Sequence, residues 1–481
     1  MAGDSLRNTL LVCAILALAS SLTSAQQKQL SVTTTSPEAL ALYQKALDYA
    51  ENVESANARP LLDQAIEKDP GFAMAYNLRA VSGGGFNVAR ENRDKAISLL
   101  DKVSPGERHW IMASKAQADG DVPKMQQHVA ELLKLHPNDP HAAYFAGNAA
   151  RMVDDNQALK HFKRATTIEP KFAAPYNQIG YIQLRKGDFA GAERALKQYI
   201  ANRPDSANPF DSYAELLLRM GRYDESIAQY EKALAKSPGF AGSLMGIGHN
   251  HVFMGDYAKA RESYQRLYDS GSAPDKASSL YWTAVSFVHE GNVAEALKSL
   301  EQQREFATAE TLTPTAMNAQ LDQAWLLSES GRSSEAVSHI DKVEAMIDGA
   351  RFTDRVKATW HRQMLLARAL TAAQAKDFAT AGSTMVRAKA AMTSDLPAAA
   401  RENYESSMGV IDVLQGKYEE ALPHLKLADP EDPYAMFYQA EAMRLKGDAA
   451  GAAKMYAKVG KSNQNGLGYA LVRMRAKKAG T

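Results

Sequence analysis

Residues 208–240, NPFDSYAELLLRMGRYDESIAQYEKALAKSPGF, read as two short amphipathic helical patterns joined by Met220-Gly221-Arg222. In each half the apolar side chains recur at the three- and four-residue spacing that lines one face of a helix. Close copies stand on both sides, GDFAGAERALKQYIANRP at 187–204 and GDYAKARESYQRLYDSG at 255–271. Runs of Val, Ile and Thr in period-2 alternation are missing after residue 36, so no strand is predicted. The chain reads as all-α.

The copies keep a fixed pitch. A glycine, a polar residue and an aromatic lead to a small residue: Gly187-Asp188-Phe189 to Ala192, Gly221-Arg222-Tyr223 to Ser226, Gly255-Asp256-Tyr257 to Ala260. Asp154-Asp155-Asn156 leads less neatly to Ala158, and the four small residues are 34 apart each time. Pro170, Pro204 and Pro238 follow at the same interval. Looser copies begin at Gly120, Gly291, Gly331, Lys376, Gly416 and Gly447. A period of this size marks a stack of helix pairs, in which neighbours bury the face that one pair cannot bury alone.

Each position has a mechanical role. The glycine ends the first helix where a positive φ is needed, and the polar residue after it can cap the second. Small residues such as Gly180 with Ala192 and Gly248 with Ala260 let the two helices approach. Proline ends the pair. Ser36-Pro37, Ser104-Pro105, Asp139-Pro140, Asn208-Pro209, Thr313-Pro314 and Asp432-Pro433 restart new first helices, with proline at the first helical position.

The 34-residue unit resembles the tetratricopeptide repeat. In residues 207–240 its aromatic, large, small and proline places fall on Phe210, Tyr213, Ala214, Ser226, Tyr230, Ala233 and Pro238. The resemblance is strong over 139–272 and recognisable over most of 37–458. Tyr199 stands where a small residue is usual, Ser272 replaces a proline, and residues 275–400 keep only parts of the pattern. The resemblance implies a right-handed superhelical solenoid of stacked antiparallel helix pairs, about twelve of them plus a terminal helix. The expected organisation is a regular solenoid over 37–272, an irregular one over 273–460, and a terminal capping helix and tail over 461–481. Arg473, Arg475, Lys477 and Lys478 are expected to keep that exposed end soluble.

Composition narrows the function. The chain has 481 residues, too many for one compact core. Its 56 Lys+Arg balance 55 Asp+Glu, which leaves no electrostatic footprint for nucleic acid. Residues 1–25 predict a secretory signal: apolar LLVCAILALA at 10–19, then SLTSA at 21–25. A retained membrane anchor is the alternative. Residues 26–36 read as a disordered lead-in. Cys13, the only cysteine, lies inside the signal, so the exported chain, in a periplasm or outside the cell, would carry neither disulfides nor reactive thiols. The resemblance is thus to an exported, bacterial-type multi-repeat protein.

No catalytic or metal constellation emerges. His249 and His251 point about 200° apart on one helix and cannot share a metal alone. Gly460-Lys461-Ser462 lacks the earlier glycine of a phosphate loop, and Ser82-Gly83-Gly84-Gly85 reads as an irregular turn. No cofactor and no enzymatic activity are expected. Trp110, Trp282, Trp325 and Trp360 lie in first helices and read as core.

The family's groove positions carry over to Asn177, Tyr181 and Arg185 in one unit, Asp211, Glu215 and Arg219 in the next, and Met245, His249 and Phe253 in the third. Some members clamp a partner's terminal carboxylate with basic side chains. Asp211 and Glu215 at the centre disfavour that and suit an extended segment with a basic or polar middle. The function so implied is an exported, non-enzymatic scaffold binding a protein or peptide on its concave face. The alternative is a binder of a small molecule or glycan in that concavity.

Overall fold

A computed structural model describes residues 30–393, 396 and 398–480. The predicted signal, with Cys13, lies outside them. Two compact units divide between Leu216 and Leu217. Unit 1 holds α1 (Pro37–Glu51), α2 (Ser55–Lys68), α3 (Ala73–Val81), α4 (Phe86–Ser98), α5 (Pro105–Asp119), α6 (Val122–Leu135), α7 (Pro140–Ala150), α8 (Asp155–Ile168), α9 (Ala174–Arg185) and α10 (Phe189–Asn202). The division falls within α11 (Asn208–Arg219).

Unit 2 continues with α12 (Tyr223–Lys236), α13 (Ala241–Met254), α14 (Tyr257–Ser270), α15 (Ala273–Glu290), α16 (Val293–Ala309), α17 (Thr313–Glu329) and α18 (Ser333–Gly349). It ends with α19 (Asp354–Gln374), α20 (Phe378–Ala390), α21 (Ala398–Leu414), α22 (Tyr418–Leu427), α23 (Pro433–Lys446), α24 (Ala449–Gly460) and α25 (Leu467–Ala479). Among the described residues there is no strand. Within each unit consecutive helices pack on one another, which makes the chain an all-α solenoid of helix pairs with a terminal helix.

Local chemistry sets the helix ends. Asp121, Asp188, Asp256, Asn292, Asp377 and Asp448 each cap a second helix by accepting from a backbone N–H in its first turn. Ser36, Ser104, Asp139 and Asp432 cap first helices ahead of proline. Asn208 and Thr313 lie inside their helices rather than before them. The turn glycines are left-handed, as at Gly255 with φ 85°. Lys376 adopts φ 63° at the same place without being a glycine.

The close approach of paired helices needs the small residues. A methyl group on Gly180 would sit 2.7 Å from Leu196, and one on Gly248 would sit 2.2 Å from Tyr264. Tyr199, which departs from the repeat pattern, is fully buried. Its hydroxyl receives the Asn208 amide at 3.0 Å and faces the Asn52 carbonyl at 3.5 Å. The large side chain therefore seats the α1–α2 turn within unit 1.

Residues 30–36, expected as part of a disordered lead-in, run extended across three helix-pair junctions of unit 1. The Leu30 N–H donates to Asp139 at 2.7 Å and the Thr33 N–H donates to Glu107 at 2.7 Å. The Thr34 hydroxyl bonds Asp69. Three carboxylates thus hold this segment in place.

The terminal helix also departs from expectation. Besides packing on α24 and α23, the pair it would cap, α25 lies against α15, the first helix of an earlier pair. Leu467 and Ala470 join Ala284, Val285, Val288 and Leu326 in one core cluster. Arg473, expected at a solvated end, is buried instead. Its guanidinium meets the Val252 and Phe253 carbonyls at the end of α13 and lies over the Phe253 ring, which together draw it into the core.

Candidate functional site

The family-derived groove positions fall in both units and are described unit by unit. In unit 1, Asn177 of α9 is buried. The Tyr181 hydroxyl donates to the Glu215 carboxylate at 2.7 Å and lies 3.4 Å from the Ser212 hydroxyl. Burial and the Glu215 charge together push that phenol well above its usual range. Arg185 turns away from this cluster and forks onto Asp155 of α8 at 2.7 Å. Asp211 stands one helical turn before Glu215. The unit 1 residues are thus engaged with one another and with α8.

A larger opening in unit 1 lies among its earlier first helices. A cavity of about 440 Å³ is lined by Leu47 of α1, Asn77 of α3, Trp110 and Ser114 of α5, and Tyr144 and Phe145 of α7. Trp110 and Phe145 stack with centroids 4.8 Å apart. At its rim the Glu51 carboxylate pairs with His141 at 2.9 Å. Burial works against the imidazolium, yet the facing carboxylate outweighs it and raises His141 to about 9.

In unit 2 the remaining positions meet the chain's own C-terminal segment. The Arg219 side chain reaches Glu431 at 3.3 Å, while its carbonyl receives the Asn463 amide at 3.4 Å. Nδ1 of His249 faces the Tyr264 hydroxyl at 2.8 Å and the Asn465 amide nitrogen at 3.0 Å, so it acts as an acceptor. On the other side of that amide, Nε2 of His289 meets the Asn465 oxygen at 3.1 Å. Burial pushes both imidazoles down to about 3, with the neighbouring His289 adding to the effect on His249 and Arg473 to that on His289.

Phe253 is buried under Arg473, whose guanidinium lies 5.2 Å from the ring centre. That guanidinium donates to the Val252 and Phe253 carbonyls at 3.3 and 3.0 Å, at the C-terminal end of α13. Met245 is half-buried on the same helix. Asn463, Gln464 and Asn465 each reach a different partner, since Gln464 donates to Glu431 at 2.7 Å and Asn463 accepts from Tyr223 at 2.7 Å. The amide-rich residues 463–465 and α25 therefore lie against α13 and α15, first helices of unit 2.

Other candidates resolve simply. Gly460 ends α24, and Ser82–Gly85 forms the α3–α4 turn with left-handed glycines. Trp110 and Trp360 are core, whereas Trp282 and Trp325 are only partly buried. Trp282 packs edge-on against His249 at 4.3 Å. No group of three His, Cys, Asp or Glu is placed to hold a metal among the described residues. The role of residues 462–473 was not legible locally, because a buried arginine and a surface arginine look alike in sequence.

Tetratricopeptide repeat profiles match residues 177–241, 213–249 and 245–310, and another matches 434–465. Human tetratricopeptide repeat protein 13 is 26% identical over 152 residues, covering 31% of this chain and 17% of that protein. The human antiviral innate immune response effector IFIT1 is 24% identical over 228 residues, 45% of this chain and 44% of its own length. The chain thus spans less than half the length of these relatives. A solved tetratricopeptide repeat protein from Parabacteroides merdae is 13% identical, covers 59% of this chain and 99% of its own, and has a TM-score of 0.36.

Proposed function

Starting from a chain that carries tetratricopeptide repeats over residues 177–310 and 434–465, we propose an exported, non-enzymatic scaffold that holds a protein or peptide on its inner, first-helix face. One observation carries this. Residues 463–473 of the chain already lie on the inner face of unit 2, held by side-chain amides, a buried arginine and a small apolar cluster. A partner segment of the same chemistry, polar and extended and then amphipathic, would use the same kinds of contact. Within unit 1, the aromatic-walled cavity on its first helices offers a separate candidate surface. Several modest contacts spread over several helices give binding that weakens gradually as single contacts are lost.

Export is supported by the apolar stretch at 10–19 and by the absence of cysteine after Cys13. Sequencing the amino terminus of the protein recovered from its source cells tests this part. A start at Gln26 agrees with export, and a retained Met1 refutes a cleaved signal.

The binding part is tested by capture from the source cell's envelope fraction, followed by hydrogen exchange on the purified complex. Protection of first helices is expected. Protection confined to second helices would move the partner to the outer face and contradict the proposal. The small-molecule reading is favoured by one observation, an acidic cavity in unit 2.

A further inference from the structure

That cavity is bounded within unit 2 by α17, α19, α21 and the start of α23, and it measures about 250 Å³. Three carboxylates line it, Asp322, Glu329 and Asp432, and no Lys, Arg or His does. Two of the three are occupied. Glu329 receives the Gln374 amide at 2.7 Å and the Tyr434 hydroxyl, and it stands 3.7 Å from Arg475. Asp432 caps α23, accepting from the Tyr434 and Ala435 N–H groups at 3.0 and 3.3 Å.

Asp322 differs. Among the described residues it has no hydrogen bond and no ion pair, and burial alone pushes its carboxyl up to about 7. Asp322 is half-buried on the cavity wall; a carboxyl so placed without a counter-ion ionises only reluctantly, and a perturbed carboxyl lining a cleft is a candidate for function. Its surroundings are also specific. Trp325 and Tyr434 meet edge-to-face at 5.0 Å on the cavity wall, and aromatic faces attract cations. Leu366, Leu370 and Val410 supply an apolar floor. Gln363 at the rim is exposed, which leaves the cavity open to solvent.

We propose that this cavity binds an organic cation, an alkylammonium or guanidinium group on an apolar stem, with Asp322 as its counter-ion. The proposal does not depend on the partner-binding reading. The cation has two possible sources sharing one chemistry, a free small amine or a Lys or Arg side chain of a bound segment. In either case the head group meets Asp322 beside the Trp325–Tyr434 pair and the stem lies over the leucines.

The test uses the full chain with calorimetry and thermal melts. The probes are butylammonium, butylguanidinium, neutral butanol, and a peptide carrying one lysine beside its Lys→Gln counterpart, all at matched ionic strength. Saturable binding of a cationic probe but not of butanol is expected. At a pH about one to two units above 7, where the Asp322 carboxyl is ionised, Asp322→Asn is expected to weaken it at least tenfold and, by removing an unpaired charge, to raise the melting temperature of the ligand-free chain. Binding of the free amines assigns a small-molecule source. Binding of the lysine peptide alone, lost in its Gln counterpart, assigns a partner side chain. Equal binding of butanol, or undiminished binding by Asp322→Asn, would overturn the proposal. So would a lower melting temperature for that variant, which would make Asp322 structural, or no binding of any cationic probe by the folded chain.

Discussion

Arg473 donates to the carbonyl oxygen of Phe253 at 3.0 Å, and so ties the last helix to the end of α13. The end of a helix carries partial negative charge and unsatisfied carbonyls. A buried guanidinium with a planar fork answers both needs at once. Arg473→Ala leaves the Val252 and Phe253 carbonyls without this partner. It is expected to cost about 2–3 kcal/mol in denaturant unfolding. Arg473→Lys keeps the charge but not the fork, and should recover only part of that. A loss below ~0.5 kcal/mol would contradict the role given to this contact.

The histidines give stability two opposite pH limbs. His249 and His289 have folded values near 3, below the unfolded 6.5. The unfolded chain therefore binds more protons between these values. Their contribution is fully present above 6.5 and is lost as pH falls toward 3. His141 is raised to about 9, so its contribution is fully present below 6.5 and is lost as pH rises through 9. Ring NMR checks both. His249 and His289 should remain neutral at pH 5 and His141 protonated at pH 8, both pH values being about 1–2 units from an ordinary histidine's midpoint. Titration of all three near 6.5 would refute the assignment.

Glycine positions separate packing from propensity. Gly248→Ala places a methyl 2.2 Å from the fully buried Tyr264 ring and should cost about 1–3 kcal/mol. Gly382 in α20 has nothing within 4 Å of such a methyl. Gly382→Ala should instead stabilise by about 0.5–1 kcal/mol. Paired unfolding curves decide, and equal effects would contradict the close approach of α13 and α14.

Lys376 holds φ 63° where other pairs use glycine. Lys376→Gly should therefore stabilise by about 1 kcal/mol, the order of the left-handed cost for a side-chain-bearing residue. A destabilised variant would mean that the turn relaxes in solution.

What the sequence revealed follows from the range of the forces involved. The glycine and aspartate at each pair junction act over a few residues, so Gly255 and Asp256 announce both a turn and a cap. The pitch of 34 residues is likewise local to each pair. The seat of α25 is not. Arg473 meets residues more than 200 positions earlier, and no neighbouring residue signals that contact. Tyr199 looked like a flaw in the repeat until Asn52 appeared above it. Asp322 resembles any helix-surface carboxylate until the fold leaves it facing a cavity with no cation.

Amide hydrogen exchange across residues 462–479 of the full chain tests most directly that the inner face of unit 2 is a segment-binding surface. Protection comparable to the cores of α13 and α15 is predicted, falling in Arg473→Ala while α13 and α15 stay protected. Exchange of 462–479 at the rate of a free peptide in the unaltered chain would contradict it.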